Sequence, residues 1–94
     1  MIITCDPAKR LKTLGERKLD FLDADLVFAD WNFTFEDIRA DYGELRFITL
    51  GFLGGRMVVV GWTPRGANRH VFTMRKANDR ETRKYAPFFP QTRE

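Results

Sequence analysis

Residues 46–76 read RFITLGFLGGRMVVVGWTPRGANRHVFTMRK, and this stretch decides the fold. It separates into three runs rich in β-branched and aromatic residues, 46–53, 56–63 and 69–76. Gly54-Gly55 is a two-residue hairpin turn between the first two, and Pro64-Arg65-Gly66 turns the chain again. Successive hairpins predict a mostly antiparallel sheet. Towards the N-terminus, Trp31, Phe33 and Phe35 alternate with Asn32 and Thr34, the period of a half-buried strand. The polar stretch 36–44, with Asp41-Tyr42-Gly43, reads as a loop. Residues 2–5 form a short apolar first strand, and Asp6-Pro7 is a helix start, a capping side chain followed by proline at the first helical position. Ala8, Leu11 and Leu14 recur at spacing three, which predicts an inward face for that helix. Asp20 and Asp23 introduce a second helix with Phe21, Ala24, Val27 and Phe28 on one side. Asn78 with Glu81 is a capping box for a last helix from Asp79 to about Ala86, which Pro87 stops. The order is β-α-α-β-β-β-β-α. This predicts an α+β fold, a twisted sheet with helices on one face and an open concave face on the last three strands. Residues 1–86 make one domain; 87–94 are a short tail whose Phe88 and Phe89 either pack back or await a partner.

At 94 residues and 44% hydrophobic composition, the chain suits one small globular core. It contains no serine, one histidine and one cysteine. Serine hydrolases, zinc fingers, paired-histidine zinc sites and Walker-type phosphate loops are thereby excluded. A single cysteine allows no internal disulfide, and with no apolar run of membrane length and no signal-peptide pattern the expected location is the cytoplasm. Charge is unevenly divided. Residues 1–55 carry seven Lys/Arg against ten Asp/Glu, a balance of −3, and residues 56–94 carry nine against three, giving +6. Such a split suits a polyanion on the basic side and leaves an acidic segment on the other.

The candidate site residues lie on the last strand and helix. By simple alternation His70, Phe72 and Met74 face the helices, while Arg69, Val71, Thr73 and Arg75 face outwards. Arg69 and Arg75 are planar donors suited to phosphate, and Lys76, Arg80, Arg83 and Lys84 follow closely as further cations. Trp62 and Tyr85 offer stacking surfaces for unpaired bases, with Trp62 equally well placed for the core. His70 has two readings, a proton carrier or a structural residue at the core edge. Glu81 likewise is a general base or simply the capping glutamate. Cys5 reads as an inert buried thiol.

These residues resemble a known family. Asp6-Pro7-Ala8-Lys9, the stretch 21–28, Asp41-Tyr42-Gly43-Glu44 with Arg46-Phe47 and Gly51, Val58-Val59-Val60 with Thr63, Arg65 and Gly66, and Arg75-Lys76-Ala77 with Glu81 and Tyr85 are similar in order and spacing to BrnT-type toxins. The resemblance spans residues 2–85. Departures include Arg10 for a frequent asparagine, Arg17-Lys18 for His-Gly, His70 for arginine, Thr73 for serine and Asn78 for threonine. The resemblance implies a RelE-like ribonuclease toxin of a bacterial type II toxin–antitoxin system that inhibits translation. Its partner would be a ribbon-helix-helix antitoxin, and operator DNA would be met only through that antitoxin.

The chemistry so implied is metal-independent attack of a ribose 2′-oxygen on the adjacent phosphate, with no cofactor. It assigns Arg75 and Arg69 to the phosphate, Lys76 to the same anion or to acid work, His70 or Glu81 to the base role and Tyr85 to positioning. Arg69, Thr73, Arg80, Arg83 and Lys84 would contact RNA. Alternatives are a non-catalytic toxin-fold co-repressor and a plain RNA-binding domain. An inhibitory antitoxin most simply covers Arg75 and Lys76 with acidic side chains.

Overall fold

The computed structural model describes residues 2–90. Its centre is strand β4 (Arg56–Arg65), in which Met57, Val58, Val59 and Val60 are all buried. Four consecutive buried apolar residues require cover on both faces of a sheet, because neighbouring side chains point opposite ways. β3 (Phe47–Leu53) and β5 (Asn68–Lys76) flank β4 antiparallel, β2 (Asn32–Glu36) lies outside β3, and β1 (Ile3–Thr4) pairs parallel with β5. The β3–β4 hairpin turns through Gly54 and Gly55, at φ 58° and 80°, a conformation that a side chain would strain. The expected α+β class, element order and mostly antiparallel sheet are all present.

On one face, Val58, Val60, Trp62, Val71 and Met74 meet Leu19, Phe21, Ala24 and Val27 from a 3₁₀ turn (Phe21–Asp23) and helix α2 (Ala24–Ala29). Trp62 is therefore a core residue, its indole N–H donating to Thr49 Oγ1 at 2.8 Å, and it is withdrawn from base stacking. The other face holds Leu50, Met57 and Val59 with Ala77 and Phe89, and Phe33, Phe35, Ile48, Tyr85 and Ala86 pack around them. The expected cover on one face thus describes the 3₁₀ turn and α2. The last helix, α3 (Asp79–Tyr85), crosses the opposite face, drawn there by the apolar residues that β2, β3 and β4 present on that side. Of the tail, Phe88 stacks on Phe33 and Phe89 is buried; residues 91–94 lie outside the described residues.

Helix α1 (Pro7–Arg17) starts as expected, with Asp6 accepting from the Ala8 amide and proline in the first turn. Its expected inward face is wrong. Leu11 is 66% exposed and no residue of α1 is buried. The helix is held instead by its polar side: Arg10 forks onto Asp20 at 2.7 and 2.9 Å, and Arg17 donates to the Met74 carbonyl at 2.9 Å. β1 pairs with β5 only at Arg69 and His70, so the Met74 carbonyl lies beyond it and is available to the arginine.

The alternation expected for the last strand also fails, for a definable reason. The β4–β5 register shifts beside Gly61 and Trp62: Thr73 pairs with Gly61, but Val71, not Phe72, pairs with Trp62. This bulge adds a residue to β5 and reverses the facing of everything before it. Arg69 and Val71 consequently face the helices with Met74, and Arg69 stacks on Phe28 and Trp62, 4.0 and 5.2 Å from their ring centres. His70 lies opposite Thr63 on the other face, where Thr73 and Arg75 also lie.

Candidate RNA-binding cleft

A cleft of about 400 Å³ lies on the face that α3 crosses, between that helix and the loop after β2. Its floor is apolar, formed by Phe35, Ile48, Leu50 and Val59. The antiparallel register sets these side chains in rows: Phe35 beside Ile48, Leu50 beside Val59, and Val59 beside Arg75. Two arginine–carboxylate pairs form the rim.

The first pair was legible in part. Arg75 leaves β5 and donates from Nη1 and Nη2 to the two oxygens of Glu81, at 2.7 and 2.8 Å. Glu81 also accepts from the Asn78 amide at 3.0 Å, while Asn78 accepts from the Glu81 amide at 2.8 Å, completing the expected capping box. One glutamate therefore caps α3 and orients Arg75. The hydrogen bonds from Arg75, opposed by partial burial, lower the Glu81 carboxyl from 4.5 to about 2. A carboxylate so weakly basic is poorly matched to proton abstraction near neutrality, which argues against the base role for Glu81.

The second pair had no signal in the sequence beyond a polar loop. Arg39 donates from Nε and Nη2 to Asp37 at 2.8 and 2.7 Å. The Arg39 amide and the Tyr42 hydroxyl also donate to Asp37, each at 3.2 Å. The Asp37 side chain is 5% exposed and the Arg39 side chain 75%, so a buried carboxylate anchors an exposed guanidinium. These hydrogen bonds, led by that from Arg39, hold the Asp37 carboxyl far below the ordinary carboxylate range. The bond to Glu81 raises the Arg75 pKa, opposed chiefly by burial and least by the positive charge of Arg39. Among the described residues, neither Arg75 Nε nor Arg39 Nη1 donates to a protein atom. Both arginines retain donors for an anion.

Tyr85, from the end of α3, lines the same cleft and stacks on Phe35 with ring centres 6.3 Å apart. The remaining candidates lie elsewhere. His70 is five residues from Arg75 along β5, about 16 Å at strand rise, too far to share one phosphate with it. Its Nδ1 lies 2.9 Å from Thr4 Oγ1, and burial, aided by Arg65, lowers its pKa. Lys76 pairs with Val58 and so points to the opposite face from Arg75. Arg80, Arg83 and Lys84 are exposed on α3, and Thr73 sits beside Gly61 on the cleft face of the sheet. Cys5 is half-buried and burial raises its pKa, as an inert thiol requires.

The Arg75–Glu81 pair makes a signed prediction about pH. Because the folded-state pKa of Glu81 is lowered, its contribution to stability is present above 4.5 and disappears as pH falls towards 2. Glu81→Gln should be less stable than the parent at pH 7, and the gap between their urea midpoints should close over that acid range. A gap that stays constant with pH would show that the carboxylate charge contributes nothing.

No helix of the described residues is long and apolar enough to cross a membrane. Among curated proteins no match is found. A protein family described as the ribonuclease toxin BrnT of type II toxin–antitoxin systems does match, over residues 5–81, a span that holds α1, strands β2 to β5 and the paired carboxylates Asp37 and Glu81. With that match over most of its length, the chain belongs to the BrnT family of ribonuclease toxins, which implies an RNA target and an antitoxin partner.

Proposed function

We propose that the cleft between α3 and the loop after β2 binds a single-stranded RNA phosphate and promotes its cleavage by the neighbouring ribose 2′-oxygen, in the cytoplasm. One observation carries this reading: two guanidiniums, Arg39 and Arg75, are held by their own carboxylates on either side of an apolar floor, each with donors to spare. In the reaction the 2′-oxygen–phosphorus bond forms as the bond to the 5′-oxygen breaks. Negative charge grows on the non-bridging oxygens, and donors fixed before the reaction stabilise it without reorganising. Of the three carboxylates in the lining, Asp37 and Glu81 are already committed to arginine and so serve positioning, while Glu36 makes no ion pair among the described residues. The 2′-proton passes to water, the 5′-oxygen takes a proton from water, and the Tyr85 hydroxyl orients the ribose.

Guanidiniums would then replace metal ions. The antitoxin we propose is of ribbon-helix-helix type, neutralising the toxin by covering the cleft with acidic side chains against Arg39 and Arg75. Charge reversal at Arg39 and Arg75 separates this docking mode from others: undiminished antitoxin binding by that variant would put the partner elsewhere. The commitment of Asp37 and Glu81 to arginine also favours a second reading, a non-catalytic module that acts with its antitoxin as co-repressor. Incubation of RNA with the purified protein, in Mg²⁺ and separately in EDTA, decides between them. The first reading requires products with 2′,3′-cyclic phosphate and 5′-hydroxyl ends in both; RNA intact in both would favour the second, and 5′-phosphate ends formed in Mg²⁺ and lost in EDTA would contradict the proposed chemistry.

A further inference from the structure

The bulge in β5 does more than reverse Arg69 and His70. It sets Phe72 and Thr73 against Gly61, whose missing side chain makes room for them. A Cβ at Gly61 would lie 2.5 Å from Thr73 Cγ2 and 3.1 Å from the Phe72 ring. The ring therefore lies over β4 on the side that bears the cleft. A second groove, of about 380 Å³, opens there between α1 and β5, lined by Lys9, Lys12, Thr13, Phe72 and Thr73 together with Glu16 and Arg17. Thr73 and Arg75 are two residues apart on one face of β5, about 7 Å at strand rise, so the groove begins where the cleft ends.

The groove is cationic in a defined way. Arg17 is committed to the Met74 carbonyl, and Glu16 is the one carboxylate in the lining. Lys9 and Lys12 are exposed and make no ion pair among the described residues. Lys9 Nζ lies 5.9 Å from the centre of the Phe72 ring, and Arg46 lies 4.5 Å from it while also stacking on Tyr42 at 4.4 Å. An aromatic ring with cations about it offers an apolar surface to a base or sugar and positive charge to the adjoining phosphate.

We propose that this groove is a second RNA subsite, in which Lys9 and Lys12 hold the phosphate of a nucleotide flanking the one bound in the cleft and Phe72 walls its sugar or base. The proposal rests on reading the cleft as the site of RNA cleavage. It predicts that substrate length matters, because a dinucleotide fills the cleft alone and a longer strand reaches both sites.

The test compares cleavage of a dinucleotide and of an RNA of about ten nucleotides by the parent, by K9E/K12E and by Arg75→Ala. Both lysines are exposed on α1, so K9E/K12E should fold, which circular dichroism checks. For the longer RNA, K9E/K12E should raise KM about tenfold with kcat unchanged, and flatten the salt dependence by about 0.7 for each phosphate that the lysines no longer hold. For the dinucleotide its KM should stay within about twofold of the parent. Equal effects on both substrates, or none on either, would overturn the subsite. So would loss of antitoxin binding by K9E/K12E with unchanged kinetics on the longer RNA, which would make the groove a protein-docking surface. Arg75→Ala reports separately on the cleft: if it silences both substrates while K9E/K12E distinguishes neither, the groove alone is wrong, and if it cleaves the dinucleotide normally, the cleft reading has failed.

Discussion

Arg75→Ala is expected to slow RNA cleavage by about 10²–10³-fold, the usual loss when one fixed donor to a developing oxyanion is removed. The same change should affect folding little. The Arg75 side chain is 42% exposed, and ion pairs with that much solvent contact contribute only about 0–1 kcal/mol. Glu81 would keep its bond from the Asn78 amide, so the start of α3 survives. Arg75→Lys should fall between the two, because lysine restores the charge but lacks the planar fork that fits both a carboxylate and a phosphate. Cleavage rates on a defined RNA, together with thermal unfolding of each variant, check this. Equal rates for parent and alanine variant would remove Arg75 from the chemistry.

Phe21→Ala should have the largest effect on stability. Phe21 is 1% exposed and packs with Ala24, Val27, Val58 and Trp62 in the core beneath α2. Removing a buried phenylalanine ring costs about 3–5 kcal/mol, the lost transfer of the ring plus the cavity it leaves. Against a total of about 5–15 kcal/mol for a native protein, that loss should leave part of the population unfolded at 37 °C. Leu11→Ala is the comparison. It removes a similar apolar group from the outward side of α1 and should change stability by less than about 0.5 kcal/mol. Urea unfolding measures both, and comparable losses would mean that α1 turns its apolar side inwards after all.

The contrast between Phe21 and Leu11 shows how far the sequence could be read. Both belong to apolar stripes at helical spacing, and spacing alone cannot say which stripe finds a partner. Phe21 has the wide apolar face of β4 and β5 opposite it. Leu11 belongs to a helix fixed to the body by two arginines. The four strands from residue 32 to 76 were legible because each run is bounded by turn residues. The capping box of α3 was legible because its spacing is local. Met57–Val60 carried a further signal, since four apolar residues in a row require both faces to be covered, and that is why α3 lies opposite α2.

The site was less legible. Glu81 and Arg75, six residues apart across the turn from β5 into α3, were each candidates in the sequence, but their pairing was not read from it. The facing of Arg69 and His70 depends on one extra residue in β5, which alternation cannot detect. Gly61 was the available warning, because an isolated glycine within a strand often marks a bulge or a close approach. Asp37 and Arg39 gave no periodic signal. Their pairing exists because the Tyr42 hydroxyl and the Arg39 amide fold back onto the same carboxylate, a tertiary arrangement within a stretch that reads as solvated loop.

The central claim is that RNA binds between Arg39 and Arg75. The most direct measurement is NMR titration with a short single-stranded oligonucleotide carrying 2′-deoxyribose throughout, which offers phosphates but no attacking oxygen. Shifts concentrated at Arg39, Ile48, Arg75 and Tyr85, with Leu22 and Leu26 unmoved, are the result this account predicts. Shifts confined to the side of α2, or to the exposed cations of α3 with the cleft residues silent, would contradict it.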